Sequence, residues 1–329
     1  MDHRFSKADV AIVGAGACGI ACAIELQDAG LRVEIIEKGC IANSIYHFPD
    51  NMVFFSDARA LEIGGAGMHC RDIRPTRREA LRYYRQVCAF SRITVRQQET
   101  LLRIDGADGD FLLRTNRGIH RAAKVVIATG YFGQPNMLGI PGELLPKVHH
   151  YYRDAHPYYG SDVAVIGGRN SAGIAASELA RAGARVTVIH RRERFNMKPA
   201  IASEMTALML EGGFRVVFNA VVEEIRPDRI AVRTRDARME LRNDAVFAMT
   251  GYRPDLSMLK RNGIGLTAGG ARPLINESTL ESTRPGIYLA GTVVAGLATS
   301  EVSIENGRSH GAKIAAAIAN HKARLVRAG

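Results

Sequence analysis

Short apolar runs bounded by glycine recur along the chain. ADVAIV (8–13), RVEII (32–36), KVVIA (124–128), DVAVI (162–166), RVTVI (185–189), DAVFA (244–248) and GIYLA (286–290) are rich in valine and isoleucine. Their apolar positions are consecutive, not alternating, which predicts strands buried on both faces. Between the first two, IACAIELQDAG (20–30) reads as a helix closed by Gly30. A further helix is expected across EVSIENGRSHGAKIAAAIANHKA (301–323), where apolar and small residues recur at helical spacing.

The first strand runs directly into Gly14-x-Gly16-x-x-Gly19, and the second ends at Glu37. This is the order of a dinucleotide-binding βαβ unit. The first glycine allows the tight turn, the second lets backbone approach a pyrophosphate, and the third lets helix pack on strand. The helix N-terminus, opened by Ala17 and Cys18, faces the phosphates. An acid at position 37 is placed to accept from ribose hydroxyls.

The unit occurs twice. DVAVIGGRNSAGIAASELARAGARVTVIHR (162–191) falls on DVAIVGAGACGIACAIELQDAGLRVEIIEK (9–38) without a gap, with twelve of thirty positions identical. The expected fold class is therefore α/β with two Rossmann-like dinucleotide-binding domains. The second loop reads Gly167, Gly168, Arg169, Asn170, Ser171, Ala172, so arginine stands at the middle glycine and alanine at the third. Opposite Glu37 the second copy has His190, followed by Arg191 and Arg192. A carboxylate favours a ribose with free hydroxyls, and cations favour a 2′-phosphate. The first site is thus expected to take FAD and the second NADPH, which points to hydride transfer between them.

Composition narrows the class. The 329 residues suffice for two domains, and the net charge is +11. The cations are spread along the chain, with short clusters such as RPTRREALRYYR (74–85), so anionic small molecules are expected as partners and nucleic acid is not. Five cysteines at irregular spacing (18, 22, 40, 70, 88) form neither a disulfide framework nor a metal-binding pattern, and no metal is expected. The opening MDHRFSKADVAIVG has no apolar run long enough for a signal or a membrane span, so a cytoplasmic protein without membrane contact is expected.

The layout resembles the two-dinucleotide-binding flavoprotein disulfide reductases of the small thioredoxin-reductase type. There the NADPH domain is inserted into a split FAD domain. That resemblance implies an FAD domain from 1–132 plus 251–329 and an NADPH domain from 133–250. Residues 37–68, 145–172 and 288–311, together with RPTRREALRYYR, are similar to the bacillithiol-disulfide reductases. In that family the first loop ends Pro-Cys-Gly, where this chain has Ala17, Cys18 and Gly19, and the second has Lys where Arg169 stands. The family implies reduction of a low-molecular-weight disulfide and a homodimer or homotetramer. Expected flavin-site residues are Lys38, Asn43, Ser44, Asn51, the glycine turns Thr129–Gly130 and Gly291–Thr292, and Gly251.

The resemblance also offers Cys18 as the redox thiol. A thiol at a helix N-terminus is expected to have a lowered pKa and attack disulfides as thiolate. The opposing reading is a small residue in a tight turn, since Ser171 takes the same place in the second copy. The chain has no C-x-x-C, so the thioredoxin reductase route is closed. Three other readings remain open at this point. A flavin monooxygenase is one, although Leu144 and Pro146 stand where its fingerprint needs Phe and Gly. A ferredoxin or flavodoxin reductase and a slow redox sensor are the others.

Overall fold

The computed structural model describes residues 7–328, with side chains to Asn320. Two compact units are present. One comprises the chain up to Tyr46, Met52–Gln134 and the chain from Arg253 onward; the other comprises His47–Asn51 and Pro135–Tyr252.

In chain order the elements are β1 (Ala8–Val13), α1 (Ala17–Asp28), β2 (Val33–Ile36), α2 (Asn43–Tyr46), α3 (Ala58–Leu61), α4 (Arg77–Phe90), β3 (Thr94–Arg96), β4 (Leu101–Ala107), β5 (Asp110–Thr115) and β6 (Ile119–Ile127). The two-residue β7 (Gln134–Pro135) follows. Next come β8 (Val148–His149), β9 (Asp162–Ile166), α5 (Asn170–Arg181), β10 (Arg185–Ile189), α6 (Pro199–Leu210), β11 (Phe214–Val217), β12 (Val221–Ile225), β13 (Arg229–Arg233), β14 (Arg238–Arg242) and β15 (Ala245–Ala248). After β16 (Tyr252–Arg253), the chain closes with α7 (Leu256–Arg261), β17 (Ile287–Leu289), α8 (Ile304–Gly307) and α9 (His310–Ala328).

The first unit holds a seven-stranded sheet in the order β3-β2-β1-β6-β5-β4, with β17 also paired to β6. Strand β1 runs parallel to β2 on one side and β6 on the other, so the chain reverses direction across the sheet at the end of β1. Ligands of open α/β sheets bind at such a switch point. Phe111, Leu113, Ile127, Leu259, Ile287 and Leu289 fill the core behind it. The second unit repeats the plan with five parallel strands, β11-β10-β9-β15-β8, and adds the antiparallel meander β12-β13-β14. Its core is Ile166, Ile189, Val217, Ile230 and Val246.

Both crossover helices end as their sequences require. Gly30 has φ +76, and its N–H and that of Leu31 donate to the carbonyls of Gln27 and Leu26. The long helix α4 starts on a reciprocal box between Thr76 and Glu79. Two features differ from the sequence expectation. Residues 47–51 pack with the second unit, because the Asp50 N–H donates to the Arg153 carbonyl at 2.9 Å and the His47 ring lies beside Tyr151. The C-terminal helix is broken at Arg308–Ser309 into α8 and α9, where Gly307 comes against the start of α1.

Candidate functional site

The first glycine loop assigns each glycine a separate job. Gly14 has φ +111, and a Cβ there would lie 2.5 Å from the Ala128 carbonyl oxygen. A Cβ on Gly19 would overlap the Gly14 carbonyl. Gly16 is different: nothing lies within 4 Å of where its Cβ would be. It caps α1 without any side-chain acceptor, so the first-turn amides, from Ala17 onward, are left for an anionic ligand.

Glu37 sits beside this opening. Its two carboxylate oxygens accept the Ala15 and Gly39 N–H groups, each at 2.7 Å. Burial raises its pKa, opposed by those two hydrogen bonds. Each oxygen keeps a lone pair for a ribose hydroxyl. The Ala42 N–H donates to the Ala15 carbonyl and ties the next turn to the loop. In that turn Asn43 Oδ1 accepts from the Cys40 N–H at 3.3 Å, and Ser44 is half-buried on α2. Lys38 is exposed, with its Nζ 2.5 Å from where a Gly133 Cβ would be. Thr129 and Gly130 close the other side: the Thr129 Oγ1 is buried without a hydrogen-bond partner, and Gly130 has φ +64.

Gly291 and Thr292 also reach the loop's surroundings, with their polar groups already committed. The Gly291 N–H donates to His310 Nδ1 at 3.1 Å, and the Thr292 hydroxyl donates to the Val302 carbonyl. Asn51 and Gly251 lie in the other unit.

Cys18 departs from the expected electrostatics. The residue is half-buried, and its sulfur turns away from solvent toward two glycines. Sγ lies 2.8 Å from where a Gly307 Cβ would be and 3.2 Å from where a Gly291 Cβ would be. Burial, followed by the Glu305 carboxylate, pushes the thiol up to about 12. The direction is opposite to the lowering expected at a helix N-terminus, and desolvation of the thiolate is its chief cause. Cys22, one turn along α1, is fully buried and also raised.

The second loop is organised otherwise. Gly167 has φ +151, and its N–H donates to the Ile189 carbonyl. A Cβ on Gly168 would run into the His190 ring. His190 thus departs from the expected cationic cluster. Its ring is buried under Phe195 (5.7 Å between centroids), with Nε2 3.1 Å from the Arg194 carbonyl oxygen. Burial lowers its pKa, and Arg191 and Arg192 lower it further, against that carbonyl contact. The flanking Arg191 and Arg192 are exposed and carry the charge. Arg169 caps α5 and is exposed, so its side chain leaves the loop open. Asn170 Oδ1 accepts the Lys198 N–H at 2.8 Å, Ser171 is exposed and Ala172 is buried.

A matching family model covers residues 11–291 and describes the pyridine nucleotide-disulphide oxidoreductases. The chain belongs to that family. Among curated relatives of this oxidoreductase, it is 41% identical to "Bacilliredoxin reductase Bdr" of Bacillus subtilis over 94% of its own length and 97% of the relative's. Two solved structures of "Bacillithiol Disulfide Reductase Bdr (YpdA)" superpose on it. The Staphylococcus aureus protein does so with a TM-score of 0.93 at 38% identity, covering 96% of this chain and 99% of that one. The Bacillus cereus protein gives 0.92 at 40%, covering 96% and 100%.

Family membership implies a flavin and a pyridine nucleotide. The open face at Gly16, the uncapped α1 and the orphaned Thr129 hydroxyl fit the first of these groups. Exposed Arg191 and Arg192 beside the second loop fit the other. Among the described residues, no helix is long and apolar enough to cross a membrane. Sequence reasoning missed Ser56, Glu305 and His310: the Ser56 hydroxyl donates to the Glu305 carboxylate, and His310 accepts the Gly291 N–H. Glu305 and His310 lie in a stretch read only for its apolar spacing, so their polar positions carried no signal.

Proposed function

We propose that this reductase uses NADPH and FAD to reduce bacillithiol disulfide, with Cys18 as the thiol that meets it. The observation that carries the reading is the pairing of two unlike nucleotide loops with a single thiol at the first. Bound NADPH and FAD would supply the hydride chemistry. Glu37 would hold the adenosine ribose of FAD, the α1 amides its pyrophosphate, and Thr129 Oγ1 would gain the partner it lacks. Arg191 and Arg192 would hold the 2′-phosphate of NADPH. Lys38, Asn43 and Ser44 would line the flavin side, and Gly168, Asn170 and Ser171 the second pyrophosphate. The resemblance supports a cytoplasmic homodimer or homotetramer with the FAD domain split around the NADPH domain.

The test is anaerobic NADPH oxidation by the flavin-loaded protein with a panel of disulfides including bacillithiol disulfide. Turnover should appear with that disulfide and collapse in Cys18→Ala and Cys18→Ser while flavin stays bound and reducible. Equal turnover in parent and variants, or turnover only with oxygen or an electron-carrier protein, removes the reading.

A further inference from the structure

The segment that carries Glu37 is held from one side by residues 96–99. Strands β2 and β3 pair as far as Ile36 and Arg96, and beyond them the two segments stay joined. The Glu37 N–H donates to the Arg96 carbonyl, the Gln98 N–H to the Gly39 carbonyl and the Glu99 N–H to the Glu37 carbonyl, each at 2.9 Å. Successive N–H groups of a regular strand point to opposite sides. Here those of residues 98 and 99 both reach residues 37–39. Gln98 makes this possible with φ +58, in the left-handed region that a residue bearing a Cβ rarely enters.

Core packing does not impose that conformation, because Gln98 is exposed. Its own side chain helps to hold it: Nε2 donates to the same Gly39 carbonyl at 3.0 Å. The residue after it is anchored, with the Glu99 carboxylate accepting the Thr115 hydroxyl and lying against His120 Nε2, both at 2.6 Å. Both polar backbone groups of Gly39 are thus engaged. Its carbonyl takes two donors from Gln98, and its N–H donates to Glu37 Oε1 at 2.7 Å. Left-handed residues of this kind persist where the surroundings over-determine them, and they collect at ligand clamps.

We propose that Gln98 is a positioning residue for the flavin nucleotide: through Gly39 it aims the Glu37 carboxylate at the adenosine ribose. This rests on the reading that Glu37 holds that ribose. The carboxylate is fixed by two N–H groups. That of Ala15 comes with the glycine loop, whose geometry Gly14 and Gly19 enforce. That of Gly39 lies in the irregular segment before α2, so its direction depends on what grips the Gly39 carbonyl. Without the Gln98 side chain that carbonyl keeps one donor of two. The ordering supplied in advance must then be met on binding.

The experiment titrates the whole chain, freed of flavin, with FAD and with its 2′,3′-dideoxyadenosine analogue, followed by flavin fluorescence. The analogue lacks the hydroxyls that Glu37 would accept from. Gln98→Gly adopts the left-handed backbone without strain and removes only the side-chain arm. It should weaken FAD about tenfold and the analogue by less than about twofold. The melting temperature of the flavin-free protein should stay within about 2 °C of the parent. Gln98→Asn also tolerates the left-handed region but has a shorter arm. It should show the same split, and decides the matter if Gln98→Gly does not fold. Equal losses for the two ligands, or no loss for either, overturn the inference. A parent protein that binds FAD and the analogue equally removes the Glu37 reading and the inference with it. The readout needs no disulfide. The split in a protein without disulfide turnover removes the proposed reduction of bacillithiol disulfide and leaves Gln98 as the residue that aims Glu37.

Discussion

The two copies of one βαβ unit have diverged in what covers their loops. Around β1–α1–β2, the chain returns from its far end: Gly291, Gly307 and Gly311 all approach α1 too closely for a side chain. Around β9–α5–β10, the cover is local. Residues 194–198 fold back, with the Asn196 N–H donating to the Gly168 carbonyl and the Lys198 N–H to Asn170. The consequence is legible in one aligned pair. Cys18 is half-buried and burial raises its thiol's pKa, whereas Ser171 at the same place is exposed. A duplicated scaffold conserves the phosphate-facing turn, and chemistry enters through the elements packed over it.

The sharpest way to break the comparison is at the glycines. Gly14→Ala forces a Cβ onto the Ala128 carbonyl at a strained φ and should cost about 3 kcal/mol. Gly16→Ala meets open space at an ordinary φ of −73°, so it should leave the melting temperature of the apoprotein nearly unchanged while stripping flavin. Thermal denaturation and bound-flavin absorbance separate the two. If both variants behave alike, the glycines do not have separate jobs.

The next contrast is between the nucleotide selectors. Replacing Arg191 and Arg192 by alanine should raise KM for NADPH by about 2 kcal/mol, roughly thirtyfold, and leave NADH use unaltered. Glu37→Gln should instead release flavin on desalting. An equal loss with NADPH and NADH would separate these arginines from the 2′-phosphate.

A third contrast is pH. Behind Glu37, whose carbonyl accepts the Glu99 N–H, His120 lies 2.6 Å from Glu99 and 3.4 Å from Glu34. Arg96 also pairs with Glu34, and Thr115 donates to Glu99. Chiefly through Glu34, the pKa of His120 is raised; against their burial, Glu34 is lowered chiefly by His120, and Glu99 by Thr115 and then His120. The raised histidine stabilises below its usual value, and that contribution is lost as pH climbs through its folded pKa. The lowered carboxylates stabilise above their usual values, and that is lost as pH falls through theirs. Both contributions are present together between about pH 4.5 and 6.5. His120→Gln should lower the melting temperature within that window and flatten its fall above it, as followed by circular dichroism. An unchanged pH dependence would show that the network does not couple to folding.

The smallest expected effect is Arg169→Gly, which restores the middle glycine of the second loop. The side chain it removes is already exposed, so KM for NADPH should change by less than about threefold. A larger change would mean that Arg169 lies against the bound nucleotide.

The sequence made both glycine loops, their flanking strands and the acid at 37 readable, because apolar runs, turn glycines and helix ends are local signals. Strands β4 and β5 carried a weaker signal, since polar residues and Gly106 interrupt their apolar positions, as in Leu101–Ala107. The start of α4 is readable in the spacing of Thr76 and Glu79. The attachment of 47–51 to the second unit and the burial of Cys18 were not readable at all. Each depends on contacts between positions far apart in the chain, Asp50 with Arg153 and Cys18 with Gly307, and no periodicity announces them.

The seat of Gly307 and Gly311 on α1 also fixes an order of assembly. The sheet of the second unit is complete once residue 248 has been made, whereas β17, which completes the first sheet beside β6, begins only at Ile287. The loop written first is the one finished last. During synthesis Cys18 waits until residues 291–307 have been made and come to lie against it.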